Sequence, residues 1–94
     1  MRRLIYAHRA KEDIADIEGY WRDRDDLIVG FYRALRDATE LLLDTPGGGT
    51  PVEGSNRRKW KVGRTPFLII YRATHAELRV LRVVHQSQNW RPLL

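Results

Sequence analysis

Cysteine is absent from this sequence of 94 residues, which excludes a disulfide framework and any thiolate metal site. No apolar run approaches the ~20 residues that a membrane-spanning helix needs. The first residues also lack the apolar stretch of about 7–15 residues that marks a secretory signal peptide. We therefore expect a cytoplasmic protein that makes no contact with a membrane.

Residues suited to metal or phosphate binding are also scarce. The three histidines, His8, His75 and His85, have no paired spacing, and no carboxylate cluster accompanies them. The glycine run at 47–49 follows a predicted helix and lacks the Lys-Ser/Thr start of a phosphate-binding helix. The sequence therefore predicts neither a metal site nor a cofactor.

Acidic residues are nearly missing from the second half of the chain. Residues 48–94 contain nine Lys/Arg and two Asp/Glu, whereas residues 1–47 contain eight Lys/Arg and ten Asp/Glu. The formal charges are thus +7 and −2, which sum to the overall +5. Such segregation indicates a basic face for a large or anionic partner. The alternative is a charged sheet edge that only resists aggregation.

The length and the 43% hydrophobic content indicate one globular domain over residues 1–94. Two amphipathic helices are predicted in the first half, followed by a stop at Thr45-Pro46. The first has its apolar stripe at Ala10, Ile14, Ile17 and Trp21, and the second at Leu27, Phe31, Ala34, Leu35, Ala38, Leu41 and Leu42.

Strand patterns flank the helices. Leu4–Ala7 forms a short apolar run, and three further strands follow a flexible loop over residues 47–56. Tight turns near Gly63 and His75 make these three antiparallel. The predicted fold is α+β, in the order β-α-α-β-β-β, with a helical hairpin packed on one face of a small antiparallel sheet.

The first of the three strands is strongly basic. Alternation places Arg57, Lys59 and Lys61 on one face, and Arg58 and Trp60 on the other. A row of cations suits phosphates or an acidic protein surface. We expect Trp60 to be a core anchor, since large aromatic side chains are usually buried.

The end of the chain carries polar and aromatic side chains. His85 ends the last strand, where it is placed as a general base or, more simply, as a hydrogen-bonding group. Trp90, with Leu93 and Leu94, is expected either to fold back on the sheet or to anchor a partner.

Three segments resemble the RelE/ParE toxin superfamily of bacterial type II toxin–antitoxin systems. Residues 10–21 look like the opening helix of ParE-type toxins, and residues 61–72 look like the basic strand, turn and following strand of the superfamily. Residues 80–85, Val-Leu-Arg-Val-Val-His, are similar to the ParE-type ending. The resemblance covers nearly the whole chain.

The resemblance implies one of two activities. RelE-like members are ribosome-dependent mRNA endonucleases, and here the catalytic residues would be Lys59, Lys61, Arg64 and His85. ParE-like members inhibit DNA gyrase by binding. The stretch at residues 67–70 lacks the arginine of the nucleases, and no tyrosine follows Tyr71, so the ParE-like branch is favoured and an enzymatic activity is not expected.

The resemblance also implies partners. A cognate ParD-like antitoxin, of the ribbon-helix-helix type, is expected to form a hetero-oligomer with the chain near Trp21 and Phe31. Gln86 and Gln88 depart from the ParE-type tail, so a non-toxic corepressor is a third hypothesis. The predicted target-binding residues are Arg58, Lys59, Lys61, Arg64, Arg82, His85, Trp90 and Arg91.

Overall fold

The computed structural model describes residues 2–90. Its elements, in chain order, are β1 (Arg3–Tyr6), α1 (His8–Tyr20), α2 (Asp25–Asp44), a 3₁₀ turn (Pro46–Gly48), β2 (Thr50–Pro51), β3 (Arg58–Lys61), β4 (Phe67–Ala73) and β5 (Glu77–His85). The five strands form one sheet in the order β1-β5-β4-β3-β2. The α+β fold with a helical hairpin on one sheet face is therefore confirmed.

The sheet differs from the expected one in two respects. β1 pairs with β5 in parallel, from Arg3 opposite Glu77 to Tyr6 opposite Val80, so the sheet is mixed and not purely antiparallel. A fifth strand, β2, lies within the segment that was expected to be a flexible loop and pairs with β3. Pairing between the two ends of a chain, or over two residues, leaves no local sequence pattern, because neither depends on neighbouring residues.

The helices form where the apolar period predicts them. In α2 the predicted stripe supplies Phe31, Leu35, Ala38 and Leu42, all of which are buried. The helix ends at Asp44, because Pro46 cannot continue its hydrogen bonding. The two helices cover one face of the sheet, which is called the helix face below.

β4 lies at the centre of the sheet and is covered on both sides, as its continuous apolar sequence predicts. On the helix face, Ile69 and Tyr71 are fully buried in the main core. On the opposite, helix-free face, Ile70 belongs to a second buried cluster. That cluster consists of Val52, Ile70, Val84 and Trp90, with Leu68 partly buried against it.

Candidate functional site

Lys59 and Trp90 meet on the helix-free face. The Lys59 ammonium nitrogen lies 5.4 Å from the centroid of a Trp90 ring, within the range of a cation–π contact. Trp90 is only 7% exposed and packs on Ile70 and Val84. Of the two arrangements considered for Trp90, the fold-back on the sheet is therefore the correct one, and Trp90 offers little surface to a partner.

Within residues 2–90, Lys61 and Arg64 are the predicted target-binding cations that are exposed. Lys61 ends β3 and Arg64 lies in the turn to β4, and both are exposed. The turn is held by Thr65, whose hydroxyl donates to the Val62 carbonyl at 2.6 Å. Gly63 takes the left-handed conformation (φ 54°) that the turn requires and that other residues adopt at a cost. The turn therefore presents Arg64 to solvent.

Arg58 has an internal role. It lies on the opposite face of β3 from Lys59, and its Nη1 donates to the Gly49 carbonyl at 2.8 Å and to the Gly47 carbonyl at 3.4 Å. The buried Tyr71 hydroxyl holds the same segment: it accepts from the Gly49 N–H at 2.9 Å and donates to the Pro46 carbonyl at 2.7 Å. Arg58 and Tyr71 together fix the connection between α2 and β2.

Arg82 is the residue whose predicted role changes most. Its Nε and Nη2 donate to the two carboxylate oxygens of Asp13 at 2.8 and 2.9 Å, and both side chains are nearly buried, at 11% and 12% exposure. The Val83 backbone N–H donates to the same carboxylate at 2.9 Å. Asp13 thus occupies the edge of β5 beyond the end of β1. The hydrogen bond to Asp13 raises the pKa of Arg82, and the guanidinium is not free for a target.

His85 lies on the helix face, where its ring meets the edge of the Phe67 ring at 5.5 Å between centroids. Its Nδ1 accepts a hydrogen bond from the Ser87 backbone N–H at 3.1 Å and lies 2.7 Å from the Ser87 hydroxyl. Because a backbone N–H always donates, Nδ1 is the acceptor in this contact, a geometry that favours the tautomer with its proton on Nε2. An open cavity of about 450 Å³ adjoins this ring, between α1 and the end of β5.

Two of the four candidate nuclease residues, Lys59 and His85, lie on opposite faces of the sheet. The Lys59 side chain lies on the helix-free face. Lys61 lines the open groove between α2 and β3, and Arg64 is exposed in the turn that follows. The His85 ring lies on the helix face, and β4 separates its strand, β5, from β3. A proton-transfer group and a phosphate-binding cation must reach the same phosphodiester, and this arrangement does not bring His85 and Lys59 together.

The residues predicted to contact an antitoxin differ in their exposure. Phe31 is 1% exposed and lies inside the main core, so it provides no contact surface. Trp21 is half-buried, with edge-on contacts to Phe67 at 5.5 Å and to Phe31 at 6.2 Å. Phe31 had two incompatible predicted roles, because a residue on the buried stripe of α2 cannot also face a partner.

Exposed apolar side chains on the helical hairpin were not singled out from the sequence. Tyr20 is 80% exposed, Val29 55% and Tyr32 40%. Tyr32 donates a hydrogen bond to the Glu18 carboxylate across the hairpin. Its partial burial and this bond raise the pKa of Tyr32 to about 12. The sequence contains a signal for this exposure, because these three apolar residues lie off the buried stripes of α1 and α2.

A second apolar surface lies between α2 and β3. Leu41, which is 47% exposed, lines an open groove of about 450 Å³ with Ala34, Ala38 and Trp60. Trp60 packs against the main core as expected, but one side of it faces this groove. Leu41 and Leu42 are adjacent on the predicted stripe, and the helix buries only Leu42.

Two further predictions concern the charged tail and the membrane. Arg91, predicted to bind the target, and Leu93 and Leu94, predicted to accompany Trp90, lie outside the described residues. Between residues 2 and 90, neither helix is long and apolar enough to cross a lipid bilayer. Over the same range, no group of three or more His, Asp or Glu side chains is arranged to hold a metal ion.

Solved toxin structures share this fold. A chain of the chromosomal ParDE TA system from P. aeruginosa superposes with a TM-score of 0.75 at 20% identity, covering 90% of this chain and 96% of that one. The E. coli DinJ–YafQ complex (TM-score 0.65, 19% identity) and a mutant of E. coli YafQ (TM-score 0.63, 21% identity) each cover 93% of this chain and 96% of theirs. The architecture is therefore that of the ParE- and YafQ-like toxins.

A comparison with protein-family models identifies the family of this chain. The model of the ParE toxin family, of the type II toxin–antitoxin system parDE, matches residues 4–90. The chain therefore belongs to the ParE toxin family. No curated protein matches it.

Proposed function

We propose that the chain inhibits DNA gyrase by binding to it, without hydrolytic chemistry, and that a cognate antitoxin neutralises it. The observation that carries this proposal is the separation of Lys59 from His85, which lie on opposite faces of the sheet. Membership of the ParE family also supports inhibition by binding. An inhibitor that acts by binding needs an accessible surface and no convergent acid–base pair.

The proposed gyrase contact is the basic end of β3 and its turn. Lys61 and Arg64 are exposed there. A cationic surface of this kind favours an acidic protein surface or the phosphates of gyrase-bound DNA, and it accelerates their encounter. Arg58, Arg82 and Trp90 contribute by stabilising the fold as a whole, because each is already engaged within the chain.

The proposed antitoxin contact is the outer side of the helical hairpin. Val29 and Tyr32 line one open cavity on α2, and Tyr20 is exposed at the end of α1 beside the half-buried Trp21. An amphipathic antitoxin segment lays its apolar side on such a surface. The solved neighbours from the ParDE system and the DinJ–YafQ complex support a partner of this class.

Gyrase assays test the target. Purified chain added to gyrase, relaxed plasmid and ATP is expected to reduce supercoiling and to accumulate cleaved DNA, and equimolar antitoxin is expected to restore supercoiling. Lys61→Glu with Arg64→Glu is expected to weaken inhibition at least tenfold, on the order of 1.4 kcal/mol of binding. Arg33→Glu with Arg36→Glu, two exposed charge reversals on α2, is the matched control and is expected to inhibit normally.

The alternative activity is measured in the same preparation. Messenger RNA on programmed ribosomes is expected to stay intact in the presence of the chain. Codon-dependent cleavage that disappears in Lys59→Ala with Lys61→Ala would establish the ribosome-dependent endonuclease instead. Unchanged supercoiling and unchanged cleaved DNA at saturating toxin would refute the gyrase proposal.

A further inference from the structure

Charged side chains lie on the helix-free face of the sheet, beside the turn that joins β4 to β5. Tyr71 and Leu78 are buried on the helix face, so strand alternation places their neighbours Arg72, Glu77 and Arg79 on the helix-free face. Arg72 and Arg79 lie directly opposite each other in the β4–β5 pair. Neither arginine was among the residues predicted to bind a target.

The neighbouring strands extend this group of charges. Arg3 of β1 lies beside Glu77 in the parallel β1–β5 pair, and Lys59 of β3 lies on the same face, diagonally across from Arg72. The basic patch, as it is called below, consists of Lys59, Arg72, Arg79 and Arg3, one cation on each of the adjacent strands β3, β4, β5 and β1. Since neighbouring strands are about 4.8 Å apart, the patch crosses about 14 Å of the sheet.

One carboxylate compensates the four cations only in part. The Glu77 carboxylate accepts hydrogen bonds from the Arg79 Nε at 2.9 Å and from its Nη2 at 3.4 Å. These bonds lower the pKa of Glu77, and the charges of Arg72 and Arg3 lower it further, so both arginines lie close to the same carboxylate. Neither forms an ion pair within residues 2–90. The patch with Glu77 therefore keeps a formal charge of +3.

The exposed apolar surface lies elsewhere. Within the described part of the chain, the large exposed apolar side chains are on the helices or, for Leu4, on the helix side of β1, next to Tyr32 and Leu35. A protein partner binds through a buried apolar or aromatic core, and the helix-free face offers none because Trp90 is only 7% exposed. Single-stranded nucleic acid needs exposed aromatic rings for stacking, whereas cations alone can bind the backbone of a duplex.

We propose that the basic patch docks the phosphate backbone of duplex DNA, without preference for sequence. One strand of a duplex carries a phosphate about every 3.4 Å along the helix axis. About 14 Å of duplex therefore presents about four phosphates, as many as the patch has cations. Arginine suits this ligand because its planar guanidinium donates two parallel hydrogen bonds to phosphate oxygens. The choice of DNA over RNA rests on the proposed function, since duplex DNA is the substrate of gyrase.

Fluorescence anisotropy of a short labelled DNA duplex, titrated with purified chain at several salt concentrations, tests the patch. The logarithm of the association constant is expected to fall with the logarithm of the salt concentration with a slope of about −3, because each neutralised phosphate contributes about −0.9. Arg3→Gln with Arg72→Gln is expected to lower the affinity at least tenfold and to reduce the magnitude of the slope by about 2. Far-UV circular dichroism checks the fold of each variant.

Arg33→Gln with Arg36→Gln is the matched control, because it removes the same charge from exposed positions on α2, which covers the other face of the sheet. Its affinity and salt slope are expected to equal those of the parent chain. If the variant of the patch is unfolded, Arg3→Gln alone replaces it, because Arg3 is exposed. The magnitude of the slope is then expected to fall by about 1.

The proposal is overturned if the duplex shows no saturable binding or if the α2 control loses as much affinity as the variant of the patch. A larger loss in Lys61→Gln with Arg64→Gln would place the DNA on the turn after β3 instead. Tighter binding of single-stranded DNA refutes the duplex, and tighter binding of duplex RNA refutes the choice of DNA. Displacement of the duplex by polyglutamate as readily as by unlabelled DNA would indicate an acidic protein as the partner.

The assay contains no gyrase, so the two proposals fail separately. A chain that binds DNA through the patch but leaves supercoiling unchanged contradicts only gyrase inhibition. A chain that inhibits gyrase but does not bind DNA by itself contradicts only the role of the basic patch.

Discussion

At the scale of single residues, the basic side chains of this toxin divide into two groups. Arg58 and Arg82 hold the fold together through the segment after α2 and through Asp13. Lys61 and Arg64 are exposed and have no comparable internal role. The sequence places all four on basic strands and turns, but it cannot distinguish the groups, because the partners of the first pair are distant in the chain.

Asp13 provides the sharpest test at this scale. Asp13→Asn removes the charge that pairs with the nearly buried Arg82 and weakens the acceptor of the Val83 N–H. Breaking a buried pair by neutralising one partner is strongly destabilising. We expect the free energy of unfolding, measured by urea titration, to fall by about 3 kcal/mol.

Asp16→Asn is the matched control for Asp13. Asp16 is an exposed carboxylate on the same helix, and it forms no ion pair within residues 2–90. Its replacement is expected to change the stability by less than about 0.5 kcal/mol. Equal losses in the two variants would show that the edge of β5 does not depend on the Asp13 carboxylate.

At the scale of secondary-structure elements, the local sequence pattern predicts those helices and strands in which buried residues recur at regular positions along the chain. The apolar stripe of α2 and the continuous apolar run of β4 are confirmed, because each residue's environment depends on its near neighbours. The parallel β1–β5 pair and the two-residue β2 were missed. The contacts that position the candidate sites are not predicted by local pattern either. Asp13 and Val83 are 70 residues apart in the sequence, and Tyr71 and Pro46 are 25 residues apart.

The segment between α2 and β2 supplies a test at this scale. A methyl group added at Gly49 would lie 2.8 Å from the Lys59 carbonyl oxygen and would clash with the Tyr71 hydroxyl. Gly49→Ala is therefore expected to cost about 1–3 kcal/mol of stability. It is also expected to break the Gly49 N–H bond to Tyr71, which hydrogen exchange at that amide would show as faster exchange.

Gly47→Ala is the comparison that isolates this clash. An added methyl at Gly47 meets nothing within 4 Å, and its backbone is not left-handed. The change is expected to be neutral or to stabilise by about 0.4–1 kcal/mol, because alanine restricts the unfolded chain. A loss at Gly47 as large as that at Gly49 would contradict the proposed close approach.

At the scale of the whole molecule, the sheet separates two unequal apolar cores. The helices cover the larger, and Trp90 completes the smaller, on the helix-free face. The separation of charge follows the same division between helices and sheet. The helices, rich in acidic residues, come from the first half of the chain, and most of the basic sheet comes from the second half. Composition alone predicts this division, although it does not predict which cations remain accessible.

Trp90 tests how far the molecule depends on its smaller core. Trp90→Ala is expected to lower the free energy of unfolding by about 3 kcal/mol, because it uncovers Ile70 and Val84 and leaves a cavity. Tyr20→Ala, which truncates an aromatic side chain that is 80% exposed, is expected to change stability by about 0.5 kcal/mol or less. A Trp90→Ala variant as stable as the parent would show that the tail only rests on the sheet.

The parallel pairing of β1 with β5 has a consequence for synthesis. β1 leaves the ribosome well before β5, its hydrogen-bonding partner, because Arg3 pairs with Glu77 and Tyr6 with Val80. Until β5 emerges, β1 has no place in the sheet, and the helical hairpin has only part of its core. A nascent chain, or a fragment that ends before β5, therefore lacks the completed sheet. We expect the interval between the synthesis of β1 and that of β5 to be one in which the chain cannot yet act as a folded domain.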